Sequence, residues 1–218
     1  MPSAKPPIVE TAPASTPVDV ETIELFTLTD LVAACLKPHR LIELLLGDRA
    51  RLAQTIVASP ILPLLVAVLL VAGLLFAVPF GIAPPVSAFW KVSVLYTGAL
   101  LICFPSFFVF GQYVGLKLTV LQSLAIGLLI STTAGILTFG FFPIIWFVHV
   151  TSGSTETVSR PLAALLLGAS LVLGVLHMLG CVAYSRQLRS GDYLLVLAWA
   201  SLVAFITLRF AGFLGVVA

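Results

Sequence analysis

Leu118 to Val148 reads LTVLQSLAIGLLISTTAGILTFGFFPIIWFV, thirty-one consecutive residues without a charge, closed by Lys117 and His149. A hydrocarbon core about 30 Å thick is crossed by roughly 20 helical residues, so the run is long for one upright span and short for two with a turn. Charge placement decides between them. As one span it puts Lys5, Lys37, Arg40, Arg49, Arg51, Lys117, Arg186 and Arg189 on one side of a bilayer, against Lys91 and Arg160 on the other. That is a strong positive-inside asymmetry. As two spans it leaves seven basic residues against three and forces Ile136, Leu137 and Phe139 into a polar turn. The run is therefore expected to be one long helix, tilted or extended past the membrane, with Pro143 kinking or ending it near the far interface.

Composition points the same way. Sixty per cent hydrophobic residues, nine per cent charged and a mean hydropathy of +1.18 exclude an ordinary soluble domain. The expected class is an all-α integral membrane protein: five transmembrane helices preceded by a cytoplasmic amphipathic helix. Spans are expected at about 61–80, 92–110, 118–147, 162–184 and 193–217, with the N-terminus cytoplasmic and the C-terminus external.

Residues 1–24 are rich in Pro, Ala and Thr with several carboxylates, and read as a disordered cytoplasmic tail. Residues 25–59 read as amphipathic interfacial helices. Thr29 or Asp30 caps a short helix ended by Pro38, and a second helix sets Leu41, Leu45, Leu52 and Ile56 against Arg40, Arg49 and Arg51. Its apolar face suits either the leaflet or a protein partner. Arg40, Arg49, Arg51, Lys117, Arg186 and Arg189 are the expected contacts to anionic headgroups or to that partner. Arg209, near the outer end of the last span, is expected to snorkel or hold a lipid.

The spans carry packing signals. Ser123, Gly127, Ser131 and Gly135 recur every fourth residue, a small-residue ridge that lets another helix come close. Ala164 and Gly168, then Ser170 and Gly174, repeat the spacing in the fourth span. The neighbour is either another span of this chain or a second protomer. Pro105 at membrane depth predicts a kink relieved by Ser106 or a neighbouring helix. Gly111 to Lys117 reads as a tight turn, and residues 151–160, TSGSTETVSR, as the longest external loop, with Pro161 opening the fourth span.

Chemistry is sparse. No carboxylate falls between Asp48 and Glu156, and none lies inside an expected span. Only His177 and Arg209 bring ionisable groups to membrane depth, so His177 is the one candidate polar site. Cys35, Cys103 and Cys181 have no metal-type spacing. No catalytic, cofactor-binding or metal-binding motif is found, and no nucleic-acid footprint. Membrane lipids and other membrane or cytoplasmic proteins are the expected partners, and a homo-oligomer stays open.

The stretch ICFPSFFVFGQYVGLKLTVLQSLAIGLLISTTAG, Ile102 to Gly135, joins a Pro-containing span through Gly and Lys to a small-residue helix. With five spans behind an amphipathic lead-in, it resembles the Yip1 family and its bacterial Yip1-like members. The family's DLYGP-type motif has no counterpart, since Asp30 and Leu31 are followed by Val32 and Ala33. The resemblance implies membrane organisation and partner binding. From these readings the expected function is a non-catalytic anchor, scaffold or structural subunit of a complex in a bacterial inner membrane. The alternative is an oligomeric channel or transporter lined by Ser106, Ser131, Thr132, Thr133 and His177.

Overall fold

A computed structural model describes residues 25–82, 86, 88–114, 118–152, 156–184 and 192–215. The tail to residue 24 and the basic residues Lys117, Arg186 and Arg189 lie outside these. Eight helices are described: α1 Leu28–Cys35, α2 Pro38–Gly47, α3 Arg49–Ala58, α4 Leu62–Ile82, α5 Lys91–Val114, α6 Val120–Thr151, α7 Glu156–Tyr184 and α8 Asp192–Phe213. Helices α4 to α8 are long and apolar enough to cross a membrane, and no strand occurs among the described residues. The protein is an all-helical, multi-pass membrane protein.

The uncharged run forms one helix. Thr119 opens it with a capping box in which its hydroxyl accepts from the Gln122 amide and the Gln122 side chain accepts from the Thr119 amide. Pro143 does not end it: α6 continues to Thr151, 32 residues in all. At 1.5 Å per residue that is about 48 Å, longer than the hydrocarbon it crosses. Ala125 to Ile136 is buried without a break, whereas Phe139, Ile144, Trp146 and Phe147 are exposed beyond it.

Helix α6 is central because its small residues serve several neighbours. Four residues turn a 3.6-residue helix by about 40° beyond one revolution, so a ridge of every fourth residue winds around the axis. Gly127 faces Leu100 of α5 and Trp199 of α8, whereas Gly135 lies against the backbone of Gly73 in α4. A Cβ at Gly135 would stand 2.8 Å from the Gly73 carbonyl oxygen. On the other flank Gly174 of α7 crosses Ile130, where a Cβ would meet that carbonyl oxygen at 2.7 Å. The neighbours in these contacts are spans of the same chain. Gly168 differs: nothing approaches its Cβ position within 4 Å.

Between apolar helices in lipid, close packing and interhelical hydrogen bonds replace the hydrophobic drive. The Thr132 hydroxyl lies 2.8 Å from the carbonyls of Leu69 in α4 and Leu128 in α6. Ser93 of α5 donates to the Leu74 carbonyl and Tyr96 to that of Leu167. Each such bond contributes roughly 0.6 kcal/mol. Trp199 of α8 and Ser106 both donate to the Cys103 carbonyl, just before Pro105, and the indole packs 4.3 Å from the Phe107 ring. Large side chains such as Val71, Leu75, Leu101, Ile102, Leu165, Val172 and Phe205 are exposed on the outer faces of the spans. In water that would be a liability; in hydrocarbon it is the required surface.

Three boundaries depart from expectation. Helix α5 runs to Val114, so Gly111 is helical and buried rather than in a turn. Helix α7 begins at Glu156, so Pro161 lies inside it and half of the expected external loop is helical. Pro161 is the sixth residue of α7, past the four leading amides that have no internal acceptor, so it costs the helix one backbone hydrogen bond. The lead-in breaks at Asp48, whose carboxylate accepts from the Arg51 amide and caps a separate α3.

Candidate interaction site

The first three helices form a cap on one end of the bundle. Its local sequence explains how. Thr27, not Thr29 or Asp30, is the N-cap of α1, exchanging a reciprocal pair of hydrogen bonds with Asp30. Leu31, Leu41, Leu45, Leu52 and Ile56 turn inward and join the core that α4, α6 and α7 share. The amphipathic face is thus covered by the chain's own spans. Two polar ties fix the docking. Gln122 of α6 donates to the Val57 carbonyl at 2.9 Å, and the fully buried Thr55 accepts from the Phe26 amide while donating to the Arg51 carbonyl.

Arg51 is turned into the cap. Its guanidinium lies 3.6 Å from the Asp30 carboxylate, 4.7 Å from the centre of the Phe26 ring and 3.4 Å from the Leu25 carbonyl. A pair this exposed contributes little by charge alone; the three contacts together hold the chain before α1 against α3. Around it opens a crevice of about 490 Å³, lined by Asp30, Arg40, Glu43, Asp48 and Arg51 over a floor that includes Phe26. Three carboxylates and two guanidinia in one concavity, beside an aromatic ring, suit a charged peptide surface better than a small apolar ligand.

Asp30 gives this site a pH dependence. The Thr27 amide, then the Thr27 hydroxyl, and finally Arg51 hold its carboxyl below the ordinary 3.8. Because the folded value is the lower one, the stabilisation is present above the unfolded value of about 3.9 and is lost as pH falls through the folded value. The contribution of Asp30, read as the difference in melting temperature between wild type and Asp30→Asn, should be level from pH 7 to 5 and then shrink below about pH 4. Asp30→Asn should lower the midpoint at pH 6 and flatten the acid limb; an unchanged acid limb would sink the assignment.

Arg49 points the other way. A Cβ at Gly180 of α7 would lie 3.1 Å from its Nη1, so the guanidinium is stacked on that backbone. Beside it His177 is buried, with Nε2 3.7 Å from the Cys181 Sγ. Arg40 is exposed on the crevice rim, and Arg209 is exposed on α8 with its guanidinium 5.6 Å from the Phe205 ring.

The remaining polar residues do not converge. Ser106 is engaged with Cys103 within α5, Thr132 with Leu69 of α4, and His177 with Cys181 within α7. Among the described residues no group of three His, Cys, Asp or Glu could hold a metal. The sequence did not single out Gly73, Thr55 or Gln122, which make the closest crossing and the two ties of the cap. The i, i+4 pair of small residues formed by Gly73 and Ala77 was the available signal for the first. Comparison with protein-family models, with curated proteins and with solved structures returns no match.

Proposed function

We propose that the chain is a non-catalytic anchor, scaffold or structural subunit of a membrane complex, and that its cap faces the cytoplasm of a bacterial cell. The observation that carries this reading is the division of labour between cap and bundle. Charged side chains gather in an open crevice on the cap, while hydroxyls inside the bundle, those of Ser93, Tyr96, Thr132, Thr138, Ser170 and Thr207, donate to backbone carbonyls. Hydroxyls used in this way hold helices together and leave few groups to line a path for ions. The basic residues support the cytoplasmic side: Lys37, Arg40, Arg49 and Arg51 are on the cap, whereas Lys91 and Arg160 begin α5 and α7 at the opposite end. The Yip1-like layout adds weight to partner binding.

The full-length tagged protein, extracted from its native membrane in a mild detergent, should come with companions at fixed stoichiometry. Exchanging the rim charges, Arg40→Glu with Glu43→Arg, should release them while the melting temperature stays within a few degrees. A homo-oligomer without companions would overturn the reading. Ion or solute flux through proteoliposomes would then favour a channel.

A further inference from the structure

We infer that the groove between the α1–α2 corner and α4 is a seat for one acyl chain of an anionic phospholipid, whose phosphate rests on Lys37, His39 and Arg40. The inference rests on the membrane-spanning architecture and not on the scaffold role.

The groove is apolar and of ligand size. It encloses about 550 Å³, lined chiefly by Cys35, Pro38 and Leu41 on the cap side and by Ala67, Val71 and Leu75 on α4. Drug-sized ligands occupy sites of about 300–1,000 Å³. Phe139 of α6 stands at its far end, edge-on to Phe76 with 5.6 Å between centroids. Such a groove in water would need a protein to cover it. Here its α4 wall belongs to a membrane span, so the surrounding medium is hydrocarbon.

Depth selects a chain over a compact ligand. From the start of α4 at Leu62, Ala67 lies about 8 Å along the axis and Phe76 about 21 Å, at 1.5 Å per residue. A hydrocarbon core of about 30 Å has its midplane about 15 Å in, so the groove runs from the cap to just past the middle of the bilayer. That is the reach of one acyl chain from one leaflet. The outer face of α1 continues the apolar surface at the mouth, since Leu28, Val32 and Leu36 are exposed with helical spacing.

Charge selects the headgroup. Lys37, His39 and Arg40 are exposed at the corner beside Cys35 and Pro38 of the groove, with Arg40 also on the rim of the charged crevice. Helix α2 starts there, with no side chain capping its N-terminus, so the amides of His39 and Arg40 add partial positive charge at the same place. An anionic phosphate meets side-chain cations and helix amides together, whereas a zwitterionic head brings its own cation into them.

Native mass spectrometry of the full chain, released from micelles containing palmitoyl-oleoyl phosphatidylglycerol or phosphatidylcholine, tests this directly. The wild-type protein should retain one phosphatidylglycerol, at least tenfold more readily than phosphatidylcholine at equal concentration. Val71→Trp, filling an exposed groove position, should lower that occupancy at least tenfold. Lys37→Gln, His39→Gln and Arg40→Gln together should bring the two lipids within about twofold of each other. These three side chains are exposed, so this variant folds and decides the matter if Val71→Trp does not. Equal retention of both lipids by the wild type, an unsaturated ladder of adducts, or unchanged occupancy in the charge variant would each overturn the proposal. Recovery of the chain without detergent in a soluble fraction would instead overturn the membrane-spanning reading beneath it.

Discussion

Replacing Gly135 with leucine is expected to lower the stability of the bundle by about 3 kcal/mol, near the upper end of overpacking penalties. The Cβ alone would sit 2.8 Å from the Gly73 carbonyl oxygen, a contact with backbone that no rotamer relieves. Helix α4 must move away, and the bond between Thr132 and the Leu69 carbonyl goes with it. Gly174→Leu should behave alike, because its neighbour is the Ile130 carbonyl at 2.7 Å. Gly168→Leu and Gly140→Leu are the matched controls: nothing lies within 4 Å of either Cβ position, so changes within about 0.5 kcal/mol are expected. Survival of monodisperse protein through a heating series in detergent reads the difference. Equal losses in all four variants would refute the assignment of α6 as the shared packing helix.

Leu52→Ala should cost about 2–5 kcal/mol, and the cost should fall on the cap. Leu52 is fully buried in α3, between the cap and the bundle, and its removal leaves a void that the fixed ends of Thr55 and Gln122 keep from collapsing. Hydrogen exchange should therefore quicken across residues 28–58 while the amides of α4 and α6 keep their protection. Loss of protection spread evenly over cap and spans would mean that the two open as a single unit.

Much of this fold was legible because lipid makes few demands and states them plainly. Five spans follow from length, hydropathy and the placement of Lys and Arg, and the single long α6 follows from charge asymmetry and from the apolar residues that a turn would have exposed. The ridge of Ser123, Gly127, Ser131 and Gly135 was visible, but not that it winds from the α5 and α8 side to the α4 side, which depends on the helix turn rather than on spacing. Gly168 shared the spacing and meets nothing, because small residues permit an approach without causing one. The cap was harder. Its apolar face read equally well as lipid contact, and its division at Asp48 depends on a carboxylate choosing the Arg51 amide over solvent. Arg51 and Arg49 looked alike as basic flanks; one turns to Asp30 and Phe26, the other onto the backbone of α7. Such differences are set by tertiary geometry and leave no mark in a string of letters.

The seat of α6 also bears on how the bundle is built. A chain synthesised from its N-terminus brings α4 and α6 together before α7 exists. The crossing at Gly73 and Gly135 needs nothing from the later helices, and α5 can fold down beside α4 because Gly81, in the last turn of α4, leaves room for the Ala88 carbonyl, which a Cβ would meet at 2.8 Å. Helix α7 then finds the Ile130 backbone already in position for Gly174, and α8 closes on α5 through Trp199. Each span arrives at a partner that is already in the membrane, so the order of synthesis doubles as an order of assembly.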